Sequence, residues 1–503
     1  MNEKTWIQER IKPDQIEKYL DKGKDFIDDV DIEEKIRANK NPDRKKIKDI
    51  LEKSFAIQTL SMDETAALMN VQDEDLWKEM MELALKIKHK VYDNRIVTFA
   101  PLYMGNRCVN NCHYCAFRQD NDEAERRVLS LSEIKRETEI LAGKIGHKRL
   151  IVVYGEHPET DADYIAESLK TIYEVKVPAG GGSASGGKTK KGWGQIRRAN
   201  VNAAPFSVEE LKGLNEIGIG TYQVFQETYH HETYKKVHPQ GTLKSDYAWR
   251  LYCMHRAFEA GVDDVGIGAL FGLYNWKFEI LGLICHSLEL EKKFGIGPHT
   301  ISFPRLEPAA NTPFAGGGKY KVDDEDFKKI VTLIRLAVPY TGMILTARET
   351  PDIRREVVSL GCTQLDASTR IGIGAYADRY SEQEGRRQQF LLGDTRTLDE
   401  IVREEAEKGR ITSFCTAGYR CGRTGECVMD LLRSGQEGKF CKLNAILTFR
   451  EWLDDFASPE TLNAGEKVIQ REIEQIKQEK WPVYPKLVEY YERIKNGERD
   501  LFF

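Results

Sequence analysis

From Ile96 onward the chain alternates short β-branched or apolar runs with helix-like segments, eight times over. The runs are IVTFAPLY, RLIVVYG, QIRRANVN, GIGTYQVFQ, DVGIGALFG, HTISFPRL, TGMILTAR and TQLDAST, with segments such as SLSEIKRETEILAGK and DFKKIVTLIRLAV between them. A strand that is always followed by a helix pairs with the next strand in parallel, and eight such units suit a closed barrel better than an open sheet. The expected fold class is therefore α/β, a parallel (β/α)8 barrel over residues 96–375. Before it, segments such as DRKKIKDILEKSFAIQTL and EDLWKEMMELALKIKHKVY carry apolar residues at spacings of three and four, the mark of an N-terminal helical region over 1–95. After about Ile371 the alternation stops. Residues 376–503 read as a mainly helical C-terminal region with its own cysteines.

Composition narrows the function classes. The chain has 503 residues, 41% hydrophobic and 31% charged, enough to bury a large core. A net charge of −5 with both signs interspersed leaves no basic footprint for nucleic acid. No apolar run approaches the ~18 residues of a membrane span, and the charged start MNEKTWIQERIKPDQ does not read as a secretory signal. The cytoplasm is the expected location. Ten cysteines are too dilute for a disulfide scaffold, so clustered thiols point to metal, and small-molecule chemistry is the class to expect.

One stretch misleads. Gly182 to Thr189 satisfies the phosphate-loop pattern G-x4-G-K-[ST], but KKGWGQIRR follows it with more glycine and then a strand, where a phosphate loop needs a helix N-terminus. Residues 177–194 read instead as a flexible Gly/Ser/Lys insertion.

In parallel barrels chemistry sits where strands end, and Cys108, Glu156, Asn202, Glu227, Arg305 and Asp366 stand at or just past the ends of runs. The densest signal is CVNNCHYC, which places Cys108, Cys112 and Cys115 just past the first run. A closed zinc site needs a fourth ligand, for which His113 is available, whereas an iron–sulfur cubane held by three thiolates keeps one iron open for a substrate or cofactor.

At these residues the sequence resembles the radical S-adenosylmethionine (SAM) superfamily, whose fingerprint C-x3-C-x-aromatic-C is matched by Cys108, Cys112, Tyr114 and Cys115. The resemblance implies a [4Fe-4S] cluster and S-adenosyl-L-methionine, with Gly155 and Glu156 at the contact to the methionine amino group and Glu227 and Arg250 as further SAM contacts. FAPLYMGNRCVNNCHYC, NVNAAP, VFQETYH, GPHTISFPR and NGERDLFF are similar to the aromatic amino-acid lyase branch, the tyrosine lyases of [FeFe]-hydrogenase maturation first and the 2-iminoacetate synthases of thiamine biosynthesis next. That branch implies cleavage of L-tyrosine to p-cresol and dehydroglycine, with Arg305 and Ser302 holding the substrate carboxylate and Tyr103 on the substrate side. It also implies an electron donor such as ferredoxin or flavodoxin, and a partner in maturation or thiazole synthesis. A lyase for another aromatic amino acid remains an alternative. So does an iron–sulfur carrier without turnover, although a carrier needs no amino-acid clamp.

The resemblance further implies a second cluster in the tail, on C-x2-C-x22-C, where dehydroglycine is broken down to carbon monoxide and cyanide. Cys415 and Cys441 stand at the first and third positions, but Gly418 holds the second. Either Cys421 or Cys427 replaces it or the cluster is absent; Cys421 is the preferred replacement, giving a candidate auxiliary set of Cys415, Cys421 and Cys441. A four-cysteine zinc site including Cys427 is the alternative. A histidine ligand of that site is expected to be replaced by Glu289.

Overall fold

The computed structural model describes residues 3–180, 192–312, 314, 318–378, 383–423, 425–433 and 437–503. Most of the glycine-rich insertion, including the phosphate-loop look-alike, lies outside the described residues. Its flanks, Val177–Pro178 and Trp193–Gly194, pair as a short antiparallel ribbon.

Eight parallel strands close into a barrel: β1 (Arg95–Gly105), β2 (Arg149–Tyr154), β3 (Arg198–Asn202), β4 (Tyr222–Gln223), β5 (Val265–Gly268), β6 (Thr300–Ser302), β7 (Gly342–Leu345) and β8 (Gln364–Asp366). Closure is made by β8 against β1, with Val97 to Phe99 facing Gln364 to Asp366. Each of the eight runs read from the sequence contributes one strand.

A ninth strand, β9 (Ile411–Ser413), was not expected. It lies parallel to β1 below β8, facing Arg95 to Val97. β1 has the length to serve both partners, at eleven residues.

The helices between strands begin on capping boxes at Ser130–Glu133 and Ser207–Glu210, and the helix leading into β9 begins on Thr397–Glu400. In each the hydroxyl accepts from the backbone three residues on, and the glutamate accepts from the cap's own N–H. Helix Trp276–Phe294 is apolar around most of its circumference because N-terminal helices cover its outer side. Those helices are pinned to the barrel by Ser54 Oγ donating to Leu336 O at 2.7 Å, and by His231, which sits between Asp29 at 2.8 Å and Asp25 at 3.1 Å. Burial opposes protonation of His231, but the two carboxylates outweigh it and lift its pKa to about 9.

The C-terminal helices Glu437–Phe456, Pro459–Gln478 and Tyr484–Lys495 pack together below the barrel. Glu451, 1% exposed, bonds Lys148 at 2.8 Å and Arg197 at 2.5 Å, tying the tail to the entrances of β2 and β3. Burial alone would raise the Glu451 carboxyl, and the two cations reverse this, holding it well below its ordinary range.

Candidate active site

Residues on a strand alternate between faces, so those pointing into the barrel mouth recur every second position. Phe99, Pro101 and Tyr103 step inward on β1, Gln223, Phe225 and Glu227 on and beyond β4, and Ile344, Thr346 and Arg348 on and beyond β7. Together with the loop after β1 they line a cavity of about 230 Å³ at the C-terminal end of the barrel.

That loop brings Cys108, Cys112 and Cys115 into the cavity wall. It is held down by Val109 N donating to Glu156 O at 2.8 Å, and by a backbone approach so close that a Cβ on Gly155 would lie 2.2 Å from Arg107 O. Gly155 is therefore required by the fit between this loop and the end of β2. Two amides donate toward the thiols: Asn110 Nδ2 to Cys108 Sγ at 3.7 Å and Gln389 Nε2 to Cys115 Sγ at 3.5 Å. Burial raises all three thiol pKa values, that of Cys112 to about 11, so a metal that takes these ligands displaces their protons.

His113 is exposed, and among the described residues no three His, Cys, Asp or Glu side chains converge as a single ion requires. Three thiols spread along one cavity wall instead suit a cluster, and no other cysteine lines that cavity. The residues present fit a cubane with one iron left without a protein ligand.

Around the thiols the cavity carries both charges. Glu227, at φ +70, receives Lys244 Nζ at 2.7 Å and lies 3.6 Å from Arg250. Burial would raise its carboxyl, but the two cations prevail and keep it below the usual value. Glu156 accepts from Asn110 Nδ2 at 2.5 Å, and Asn110 Oδ1 accepts from Lys244 N at 2.8 Å. Tyr114 is buried, with its hydroxyl 2.8 Å from His238 Nε2. His238 is the partner of that hydroxyl. It is 1% exposed, and burial together with Lys244 and Arg250 holds its pKa well below normal, so the ring is neutral. Asn202, Ser302 and Asp366 line the cavity. Asp366 accepts from Thr369 Oγ1 at 2.9 Å and lies 3.3 Å from Arg354.

Arg305 is not in this cavity. Its fork is bound bidentately by Glu349, with Asp324 at 2.8 Å on the remaining nitrogen, and it stacks over Phe327. Ser302 and Pro304 both line the cavity, so the residue after Pro304 faces the other way. The arginine that does enter is Arg348, at the end of the β7 run. Its guanidinium lies over the Phe390 ring at 3.3 Å and forms no hydrogen bond or ion pair with any described residue. Burial lowers its pKa, against the pull of Tyr103, Glu227 and Glu307. A guanidinium in such a cavity that no described carboxylate bonds is a seat for an anionic ligand. Gln389 was also missed. It accepts from Tyr103 OH at 3.0 Å while donating to Cys115, so one side chain links the aromatic wall to a cluster thiol.

The tail residues lie at the opposite end of the barrel. Cys415 and Cys441 line a second cavity there with Gly418 and His299, but Cys421 does not: its thiol is exposed and lies 3.6 Å from Phe503 O. Glu289 does not line this cavity but sits on helix Trp276–Phe294, 3.7 Å from His255; the histidine that lines it is His299.

A parallel barrel whose first βα loop presents three thiols to a mixed-charge cavity is the architecture of a radical SAM enzyme. Residues 102–281 match the Radical SAM superfamily, and residues 302–411 match the Biotin and Thiamin Synthesis associated domain. The chain is 46% identical to a crystal structure of HydG, described as a maturase of the [FeFe]-hydrogenase, at TM-score 0.87, with 95% of this chain and 100% of that one covered. HydG from Carboxydothermus hydrogenoformans is 39% identical at TM-score 0.75, covering 93% and 97%. The 2-iminoacetate synthase of Salmonella typhimurium is 29% identical over 71% of this chain and 88% of its own length. The chain belongs to the radical SAM tyrosine-lyase family that includes HydG and 2-iminoacetate synthase, and its radical SAM domain implies a [4Fe-4S] cluster and SAM.

Proposed function

We propose that the upper cavity cleaves the Cα–Cβ bond of L-tyrosine to give p-cresol and dehydroglycine. The observation that carries this reading is the guanidinium of Arg348, which no carboxylate among the described residues bonds, in the same cavity as Cys108, Cys112 and Cys115. A cluster and SAM bound there supply one electron and a radical that takes a hydrogen atom. Every other contribution comes from the chain. Glu156, oriented by Asn110, faces an ammonium, and Glu227 with Lys244 and Arg250 completes a charged wall for a zwitterionic cofactor. Arg348 bonds the tyrosine carboxylate through its planar fork, with Ser302 beside it. Tyr103, Phe117 and Phe390 exclude water from the substrate ring.

With this reading go a one-electron donor of ferredoxin or flavodoxin type and a reducing cytoplasm. No helix among the described residues is long and apolar enough to cross a membrane. A carrier without turnover has no use for Arg348. The test is anaerobic incubation of the reconstituted protein with SAM, reductant and tyrosine, followed by chromatography. Equal amounts of 5′-deoxyadenosine and p-cresol are expected, and deoxyadenosine without p-cresol refutes tyrosine as the substrate.

A further inference from the structure

The lower cavity is the counterpart of the site where the family resemblance implies a second cluster, and its donor set does not match. Of the four tail cysteines, Cys415 and Cys441 reach it, while Cys421 and Cys427 are exposed. The second thiolate position of the implied pattern is Gly418, on the short helix Ala417–Arg420, where an added Cβ would meet nothing nearer than Arg423 at 3.8 Å. Space for a side chain exists there, and the side chain is missing. Two thiolates hold a cubane poorly. The room is also small: about 40 Å³, against about 230 Å³ above. That is on the order of three waters. Buried Arg149 lines it beside Val97, Gln364 and Ser413 of the strands.

We propose that the lower cavity of this chain holds no iron–sulfur cluster, because position 418 lacks a thiol, so the protein carries one cluster, on Cys108, Cys112 and Cys115. Given the tyrosine reading above, dehydroglycine then leaves intact and is not broken down to carbon monoxide and cyanide, so its consumer is a reaction that condenses or hydrolyses an imine.

The test counts iron and acid-labile sulfide in anaerobically reconstituted full-length protein, with electron paramagnetic resonance of the reduced state. The wild type is expected to bind about four irons, and the Cys108, Cys112, Cys115 to Ala triple variant almost none. Adding Gly418→Cys to that triple variant should restore about four. About four irons in the triple variant alone overturns the proposal. Gly418→Cys that melts like wild type yet gains no iron overturns the role given to the missing thiol. Should the substitution impair folding, the triple variant still decides. Failure of the tyrosine reading is separate and shows as absent p-cresol with iron counts unchanged.

Discussion

Arg348 and Arg305 are two arginines with opposite expected phenotypes. In Arg348→Gln the substrate carboxylate loses two charge-assisted hydrogen bonds, each worth about 1.5–3 kcal/mol. Arg348 is only partly covered and also rests on Phe390. The lower end of the range therefore applies: about 3 kcal/mol, or roughly a hundredfold in kcat/KM for tyrosine. Arg348→Lys keeps the charge but loses the fork and should sit between. No protein carboxylate is stranded in either case, so the melting temperature should hold. Arg305→Gln is the reverse: it strands Glu349, whose side chain is 2% exposed, at a cost of about 3–5 kcal/mol in stability. The assay is p-cresol formation against tyrosine concentration, beside thermal melts and SAM cleavage without tyrosine. An Arg348→Gln protein with near wild-type kcat/KM would refute the assignment, as would an Arg305→Gln protein that melts normally but loses tyrosine turnover.

Other outcomes can be checked independently. Gln389→Leu removes the donor to Cys115 and should move the cluster's midpoint potential to more negative values in a redox titration; an unchanged potential means the contact does not reach the cluster. Glu451→Gln leaves Lys148 and Arg197 buried without their carboxylate and should lower stability by about 3–5 kcal/mol in denaturant titrations. Because the folded carboxyl is depressed, that contribution is present above the ordinary carboxylate pKa and fades as pH falls toward the folded value, so wild type and variant should converge in acid. His231 titrates the other way: raised from 6.5 to about 9, it contributes fully below 6.5 and loses its contribution as pH rises through 9. Hydrogen exchange in Asp29–Ala38, corrected for intrinsic rate, should increase between pH 7 and 10, and constant protection would contradict the ion pair.

The barrel was legible because helices separate the strand runs, the one before β4 opening on a complete capping box even though β4 pairs over only two residues. β9 was not legible: ITS is three residues long, and its partner lies more than three hundred positions upstream. The three-cysteine loop could be read because its ligands are close in sequence. Arg305 was expected in the cavity and lies outside it, and the alternation rule held the reason: Ser302 and Arg305 are three apart and cannot share a face of an extended chain, whereas Ile344 and Arg348 can. Cys421 failed for a related reason. Six residues from Cys415 it lies past a helical turn, and nothing in the spacing reveals that the C-terminal Phe503 faces it.

The length of β1 has a consequence for what the tail can lose. Its upper half presents the cysteine loop, and its lower three residues bond to Ile411–Ser413. Deleting the chain beyond residue 410 would leave the foot of that strand with bare amides and carbonyls at an open seam, an invitation to aggregate. A tail stripped of its iron would still be needed as a plug, so ligands there can vary while the segment that carries them stays.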